Sequence, residues 1–212
     1  MNKIIHNNCI DEMKIMPPLS VTHTVTDIPY DVVSRDSNGI RKFDKEQADI
    51  LEFSLDDFVE ELTRITQQHI MIFCASEQVS DLVSKLTMQG FESDLAIWQK
   101  SNPSPVNGQY IWLSGVECCV VASRDKLPDH LKNVIWKSPS GRSKNHPTEK
   151  PLKLMQTIIK EHTNENDIIF DPCAGSGSTL EAAAIENRQW LGIELFEQYY
   201  SYIQKRMEKY GS

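Results

Sequence analysis

The 212-residue chain has little of what marks several common protein classes. Its 22 Lys and Arg against 30 Asp and Glu leave a net charge of −8, so the overall balance gives no sign of a nucleic-acid binder. No apolar window approaches the roughly 20 residues of a membrane span. The opening "MNKIIHNNCIDEMK" likewise has no uninterrupted apolar stretch of a secretory leader. The five cysteines, Cys9, Cys74, Cys118, Cys119 and Cys173, are odd in number and have no C-x-x-C spacing, which argues against a disulfide framework or a structural zinc site. They read as buried thiols, and with no membrane span the expected setting is cytoplasmic and reducing, with no membrane partner and no metal. Internal repeats and low-complexity tracts are absent too.

What is present is alternation. Apolar, β-branched runs at "KIIH", "VTHTVTD", "HIMIFCA", "LAIWQK", "VECCVVAS", "DIIFD" and "WLGIEL" predict strands, most with too little polar interruption for a sheet face open to water. Helical patterns lie between them. "SLDDFVEELTRITQQ" opens on a Ser cap with acids in its first turn, "EQVSDLVSKLTMQG" closes on a Gly stop, and "PLKLMQTIIKEH" begins at a Pro. Strands and helices in this order predict an α/β fold, a mostly parallel sheet with helices on both faces, in one domain over 1–212. Two segments break the pattern and read as loops: the polar stretch from Val32 to Glu52, and the turn-rich stretch from Ser101 to Asn145. Six basic residues against one acid between His130 and Lys153 make a local basic region there, matching either a solvated loop or a phosphate-contacting one.

Near the C-terminus, "DIIFDPCAGSGSTLEAAAIENRQWLGIEL" places a buried strand before Pro172, then a loop with Gly175 and Gly177, a helix from about Thr179 and a second strand ending at Glu194. Glycines at such a turn let backbone approach a ligand, and the helix start offers unpaired N–H groups to an anion. Glu194 follows roughly twenty residues after the loop, where an acid accepts from ribose hydroxyls. A dehydrogenase fingerprint is excluded because Leu180 stands at its third glycine, and no Gly-Lys-Ser/Thr completes a P-loop. A second stretch, "TDIPY" at Thr26–Tyr30, ends a strand in a carboxylate, a proline and an exposed aromatic; alone it reads as an ordinary strand-ending turn.

Together these segments resemble a known family. "FDPCAGSGST" is similar to the cofactor motif of S-adenosylmethionine-dependent amino-methyltransferases of DNA. "TDIPY" resembles their Asp-Pro-Pro-Tyr motif, and "NHPTEKPLKLMQTII" resembles a His-Pro-Thr-x-Lys-Pro segment. With the catalytic motif first and the cofactor motif last, the order is the circularly permuted one of the family's β-group. The resemblance extends over nearly the whole chain, including "IIHNNCIDEMKIMPP" and "LAIWQKSNPSP".

The resemblance implies a Rossmann-like class I methyltransferase fold, S-adenosylmethionine as cofactor, and duplex DNA with a flipped base as substrate. The catalytic group would be Asp27, Ile28, Pro29 and Tyr30. The Asp27 carboxylate and the Ile28 carbonyl would accept the two N–H bonds of the target amine, Pro29 would hold the turn, and Tyr30 would stack on the base. Only the backbone oxygen of Ile28 enters this chemistry, so a non-proline is tolerable there, and Ile28→Pro would keep the carbonyl and narrow the loop provided the native φ lies at about −65°. The cofactor group would be Asn8, Cys9, Lys150, Asp171, Pro172, Gly175, Ser176, Gly177, Ser178, Thr179 and Glu194. Within it, Asp171 would lie near the methionine amino group, Glu194 on the ribose, and the Asn8 amide oxygen where relatives carry an Asp. DNA contacts would come from Lys137, Arg142, Lys144 and His146, although His146 and Lys150 equally suit a cofactor or structural role. Asp at the first motif position favours adenine N6. Cytosine N4, adenine in RNA, and a lapsed binding protein stay open. Residues 101–145 would hold a short recognition region, so either specificity is relaxed or a second subunit, as in a homodimer, adds contacts.

Overall fold

The computed structural model describes residues 2–30, 53–103, 115–125, 134–141 and 149–211. Among these residues eight strands form one sheet in the order β1-β8-β7-β2-β3-β5-β4-β6. They are β1 (Asn2–His6), β2 (Val21–Asp27), β3 (Thr66–Cys74), β4 (Glu92–Lys100), β5 (Val116–Ser123), β6 (Ile135–Ser138), β7 (Ile168–Asp171) and β8 (Gln189–Glu194). All neighbouring pairs are parallel except β3 with β5 and β5 with β4. Seven strands therefore end at one edge of the sheet, and the reversed β5 begins there.

Among the described residues six α-helices cover the sheet: α1 (Cys9–Ile15), α2 (Leu55–Ile65), α3 (Val79–Met88), α4 (Leu152–His162), α5 (Ser178–Ile185) and α6 (Glu197–Met207). Their apolar stripes fall into two cores. Met13 of α1, Phe58 and Leu62 of α2 and Leu82 of α3 pack with Ile70, Ile72 and Phe170 on one face. Ile158 of α4, Leu180 of α5 and Ile203 of α6 pack with Val25, Phe73 and Trp190 on the other. Each side chain of this size taken fully out of water contributes about 1.5–3 kcal/mol, so both layers are needed to hold the sheet. Among the described residues no helix is long and apolar enough to cross a membrane.

Local signals set the helix ends. The Ser54 hydroxyl accepts from the Asp57 N–H at the start of α2, with Asp56 and Asp57 in its first turn and Arg64 in its last. Gly90, at φ +83°, stops α3 as its position suggests. Four elements differ from expectation, the first being α1, which lies outside the segments read as helical. The helical pattern read through Gln68 ends at Ile65, because Thr66 begins β3 and joins the sheet beside Val21. The loop-like stretch from Ser101 contains β6, only four residues long, which pairs with β4 as an edge strand. Helix α6 also lies beyond the segments read as helical.

Chain order reverses between β2 and β7. From β7 the chain proceeds through α5 to β8 on one side, whereas β2 is followed by β3 on the other. A crevice at the carboxyl ends of the strands is expected at such a reversal. Asp171 ends β7 and Asp27 ends β2.

Candidate active site

The crevice has two seats that touch. On the β7 side, Asp171 is 2% exposed, and its Oδ1 accepts from the Thr26 hydroxyl at 2.7 Å and the Cys173 N–H at 3.1 Å. Burial pushes its carboxyl up to about 7, against the bonds from Thr26, Thr179 and Cys173 that favour the ionised form. A cationic group arriving beside it would draw the proton off. Beyond Asp171 the chain turns through Gly175 at φ +52° and Gly177 at φ +77°. A Cβ on Gly177 would also lie 3.1 Å from Ile203, so packing as well as backbone conformation selects glycine there.

The turn is fixed by Glu194 at the end of β8. Its Oε2 accepts from the Gly175 N–H at 2.8 Å and its Oε1 from the Phe196 N–H at 2.9 Å. Burial holds this carboxyl above its ordinary value despite both bonds. Gly177, the residue before α5, supplies no side-chain cap, which leaves the first N–H groups of that helix for an anionic ligand. The glycine missing at Leu180 has a counterpart across the interface. A Cβ on Gly192 of β8 would stand 2.5 Å from Leu180, so strand rather than helix provides the close approach.

On the β2 side four segments meet. Lys150, 5% exposed, donates to Asp27 Oδ2 and to the Tyr30 hydroxyl at 3.2 Å, and lies 3.1 Å from Glu117 Oε2. The Tyr30 hydroxyl donates to the same Glu117 oxygen at 3.2 Å, and Lys100 reaches Glu117 Oε1 at 2.7 Å. Charges alternate along this chain. Burial raises the Asp27 carboxyl, outweighing Lys150. For Glu117 burial works upward as well, but Lys150 and Lys100 hold it below its ordinary value. Lys150 keeps its charge because Asp27 and Glu117 offset the cost of its burial. Burial and the two carboxylates push the Tyr30 phenol well above its usual range. Asp27 keeps 27% of its side-chain surface open, while its Oδ1 is buried and has no hydrogen-bond partner among the described residues.

Several expectations need correction. Tyr30 is half-buried rather than exposed, because its hydroxyl is drawn inward by Glu117 and Lys150. The Ile28 side chain is 1% exposed and its N–H donates to the Phe73 carbonyl at 3.1 Å, so a proline would remove a bond in use. Pro29 holds its turn with help from Gln78, which donates to its carbonyl at 3.2 Å. Asn8 reaches the pocket, but its amide oxygen caps α1, accepting from Ile10 and Asp11. The group left over is the amide NH2, a donor where an acceptor was expected. Lys150 lines the pocket with its ammonium bonded on the β2 side, to Asp27.

Cys9, Pro172, Ser176, Ser178 and Thr179 line the same crevice. Lys137 is exposed on β6, beside Gln99 at the carboxyl edge. Arg142, Lys144 and His146 lie outside the described residues, as does much of 101–145. Lys100 and Glu117 were missed by sequence reasoning. The available signal was one acid set into the otherwise apolar "VECCVVAS".

The two seats open into one pocket, which Phe53, Phe196 and Tyr199 also line. A family model described as "DNA methylase", for N6 and N4 methyltransferases, matches residues 21–205. The chain is 31% identical over 217 residues to "Putative methylase YubD" of Escherichia coli (strain K12), covering 98% of this chain and 90% of that one. It is 30% identical over 124 residues to "DNA adenine methyltransferase YhdJ" of the same organism, covering 56% of this chain and 35% of the other. Among solved structures, an M1.HpyAVI complex with S-adenosylmethionine matches 98% of this chain and 99% of its own at 29% identity and a TM-score of 0.76.

Proposed function

Because the chain belongs to the N6/N4 family of DNA methylases, with S-adenosylmethionine as cofactor, we propose that it methylates the N6 amine of an adenine flipped out of duplex DNA. The observation that carries this reading is Asp27. One of its oxygens is anchored on Lys150 and the other is unpartnered among the described residues, next to the carboxylate at the end of β7.

S-adenosylmethionine supplies an electrophilic methyl group on a sulfonium. The residues present suit its other parts: Asp171 for the ammonium, the uncapped start of α5 for the carboxylate, and Glu194 for the ribose hydroxyls. The amine nitrogen of adenine is a poor nucleophile because its lone pair is delocalised into the ring. Asp27 and the Ile28 carbonyl accept its two hydrogens and turn that lone pair toward the cofactor seat. As the nitrogen becomes cationic, the Asp27 carboxylate stabilises the charge and takes the proton shed. Tyr30 stacks on the base and returns part of the few kcal/mol that extrusion costs. Its tethered hydroxyl fixes the ring beforehand, so little rotamer freedom is lost on binding. The 30% identity to a protein named for adenine supports adenine over cytosine, as does Asp at position 27.

The test is transfer of isotope-labelled methyl groups to unmethylated genomic duplex and, separately, to RNA, followed by nucleoside separation. Label in N6-methyldeoxyadenosine is expected. Label in N4-methyldeoxycytidine, or in RNA alone, would move the substrate; cofactor binding without transfer to any nucleic acid would leave a binding protein. The dependence of rate on protein concentration reports whether a second copy contributes.

A further inference from the structure

Glu117 is not part of any of the motifs that define the chemistry, yet it touches both of the groups that interact most directly with Asp27, Lys150 and Tyr30. It sits second on β5, the reversed strand, whose start lies at the carboxyl edge where the others end. Its Oε2 meets Lys150 and Tyr30, and its Oε1 meets Lys100. An ammonium has three hydrogens, and those of Lys150 find Asp27, Tyr30 and Glu117. Phe73 lies 5.1 Å from that nitrogen.

We propose that Glu117 is a positioning residue that sets the strength of Asp27 as an acceptor, by sharing Lys150 with it and by tethering Tyr30. The proposal rests on the reading of Asp27 given above. If Lys150 answered Asp27 alone, a full positive charge would lie against the carboxylate and weaken it as acceptor and base. Glu117 takes up part of that charge, and its own negative charge favours a proton on Asp27. A more basic carboxylate better stabilises the amine as it turns cationic and better accepts its proton. Lys100 draws on the other oxygen of Glu117 and so moderates the effect.

The groups acting on this pair come from every side. Asp27 faces Lys150, Glu117 and Tyr30, with Asp171 at the end of β7 and the thiols of Cys74 on β3 and Cys119 on β5 within electrostatic reach. Glu117 faces Lys100 on β4, Lys150, Tyr30 and its neighbour Cys118. A purely structural role, stapling β4 to β5 through Lys100, predicts a different outcome from a tuning role.

The measurement is kcat against pH on unmethylated genomic duplex, with cofactor affinity from calorimetry, for the parent and for Glu117→Gln, Glu117→Asp, Lys100→Met and Asp27→Asn. Glu117→Gln should move the acid limb about one pH unit lower and reduce the plateau about tenfold, at unchanged cofactor affinity. Glu117→Asp, which keeps the charge, should lose rate with the limb in place. Lys100→Met should move the limb upward. A uniform loss in Glu117→Gln with the parental limb would overturn the proposal, as would the same downward shift in Glu117→Asp. If Glu117→Gln does not bind cofactor, Lys100→Met carries the test, and a static limb there overturns it. Turnover retained by Asp27→Asn would instead remove the reading of Asp27; with Asp27→Asn inactive and every limb fixed, Glu117 alone is misassigned.

Discussion

The two seats are built differently. On the cofactor side, the Glu194 carboxylate is held by backbone N–H groups from its own stretch of chain and from the glycine loop. On the catalytic side, Asp27, Lys100, Glu117 and Lys150 come from four separate segments and hold one another by charge. Backbone donors are fixed by the fold and survive most side-chain changes. A chain of buried charges fails when one member leaves, because its neighbours lose their counter-charge.

That contrast predicts unequal damage. The largest effect on stability is expected from Lys150→Met, which leaves Asp27 and Glu117 facing each other with one cation fewer. Loss of about 3–5 kcal/mol in denaturant unfolding is expected. A change below about 1 kcal/mol would show that the cluster is not coupled as described.

On the other seat, Glu194→Ala should weaken S-adenosylmethionine binding by about 1–3 kcal/mol in calorimetry, with the rate at saturating cofactor much less affected. Equal affinity in a folded variant would remove Glu194 from the ribose.

Ile28→Pro sharpens the comparison where the seats join. The Phe73 carbonyl loses its donor and the ring crowds the strand end, so a cost of about 1–3 kcal/mol in stability is expected, with no gain in rate. A more stable or faster variant would mean that the bond to Phe73 is dispensable.

The smallest effect is one of pH. With its free-state value at about 7, Asp171 must shed a proton to meet the cofactor ammonium, so affinity should fall about tenfold as pH drops from 8 to 6. The same titrations in buffers of different ionisation enthalpy should show proton release at pH 6. Affinity independent of pH would mean that Asp171 is already ionised in the free protein.

The same contrast explains what the sequence disclosed. Strands β1 to β5, β7 and β8 and helices α2 to α5 were legible because each is a local apolar run or amphipathic pattern, mostly with its own stop signals. The glycine loop, Asp171 and Glu194 were legible because one contiguous stretch of 28 residues, from Asp167 to Glu194, carries them all. Glu117 and Lys100 were not, since their meaning arises only when the reversed β5 brings its first turnward residues beside Tyr30. Lys150 lines the pocket as expected of a cofactor residue, but its bond to Asp27 was not legible, because its neighbours in sequence say nothing of a residue 123 positions earlier. Asn8 lies on the pocket, yet the direction of its amide depended on a helix, α1, that short apolar spacing alone did not reveal.

The most direct test of separable seats is a paired measurement on Asp27→Ala and the parent: cofactor affinity by calorimetry, and single-turnover methyl transfer to duplex DNA on the same preparations. The expected result is near-parental affinity with transfer reduced by about 10³-fold or more, because the acceptor at the reacting amine is gone and the backbone-held cofactor seat is intact. Transfer at the parental rate would contradict the assignment of Asp27. Loss of affinity in step with transfer, in a folded variant, would contradict the division of the crevice into two seats.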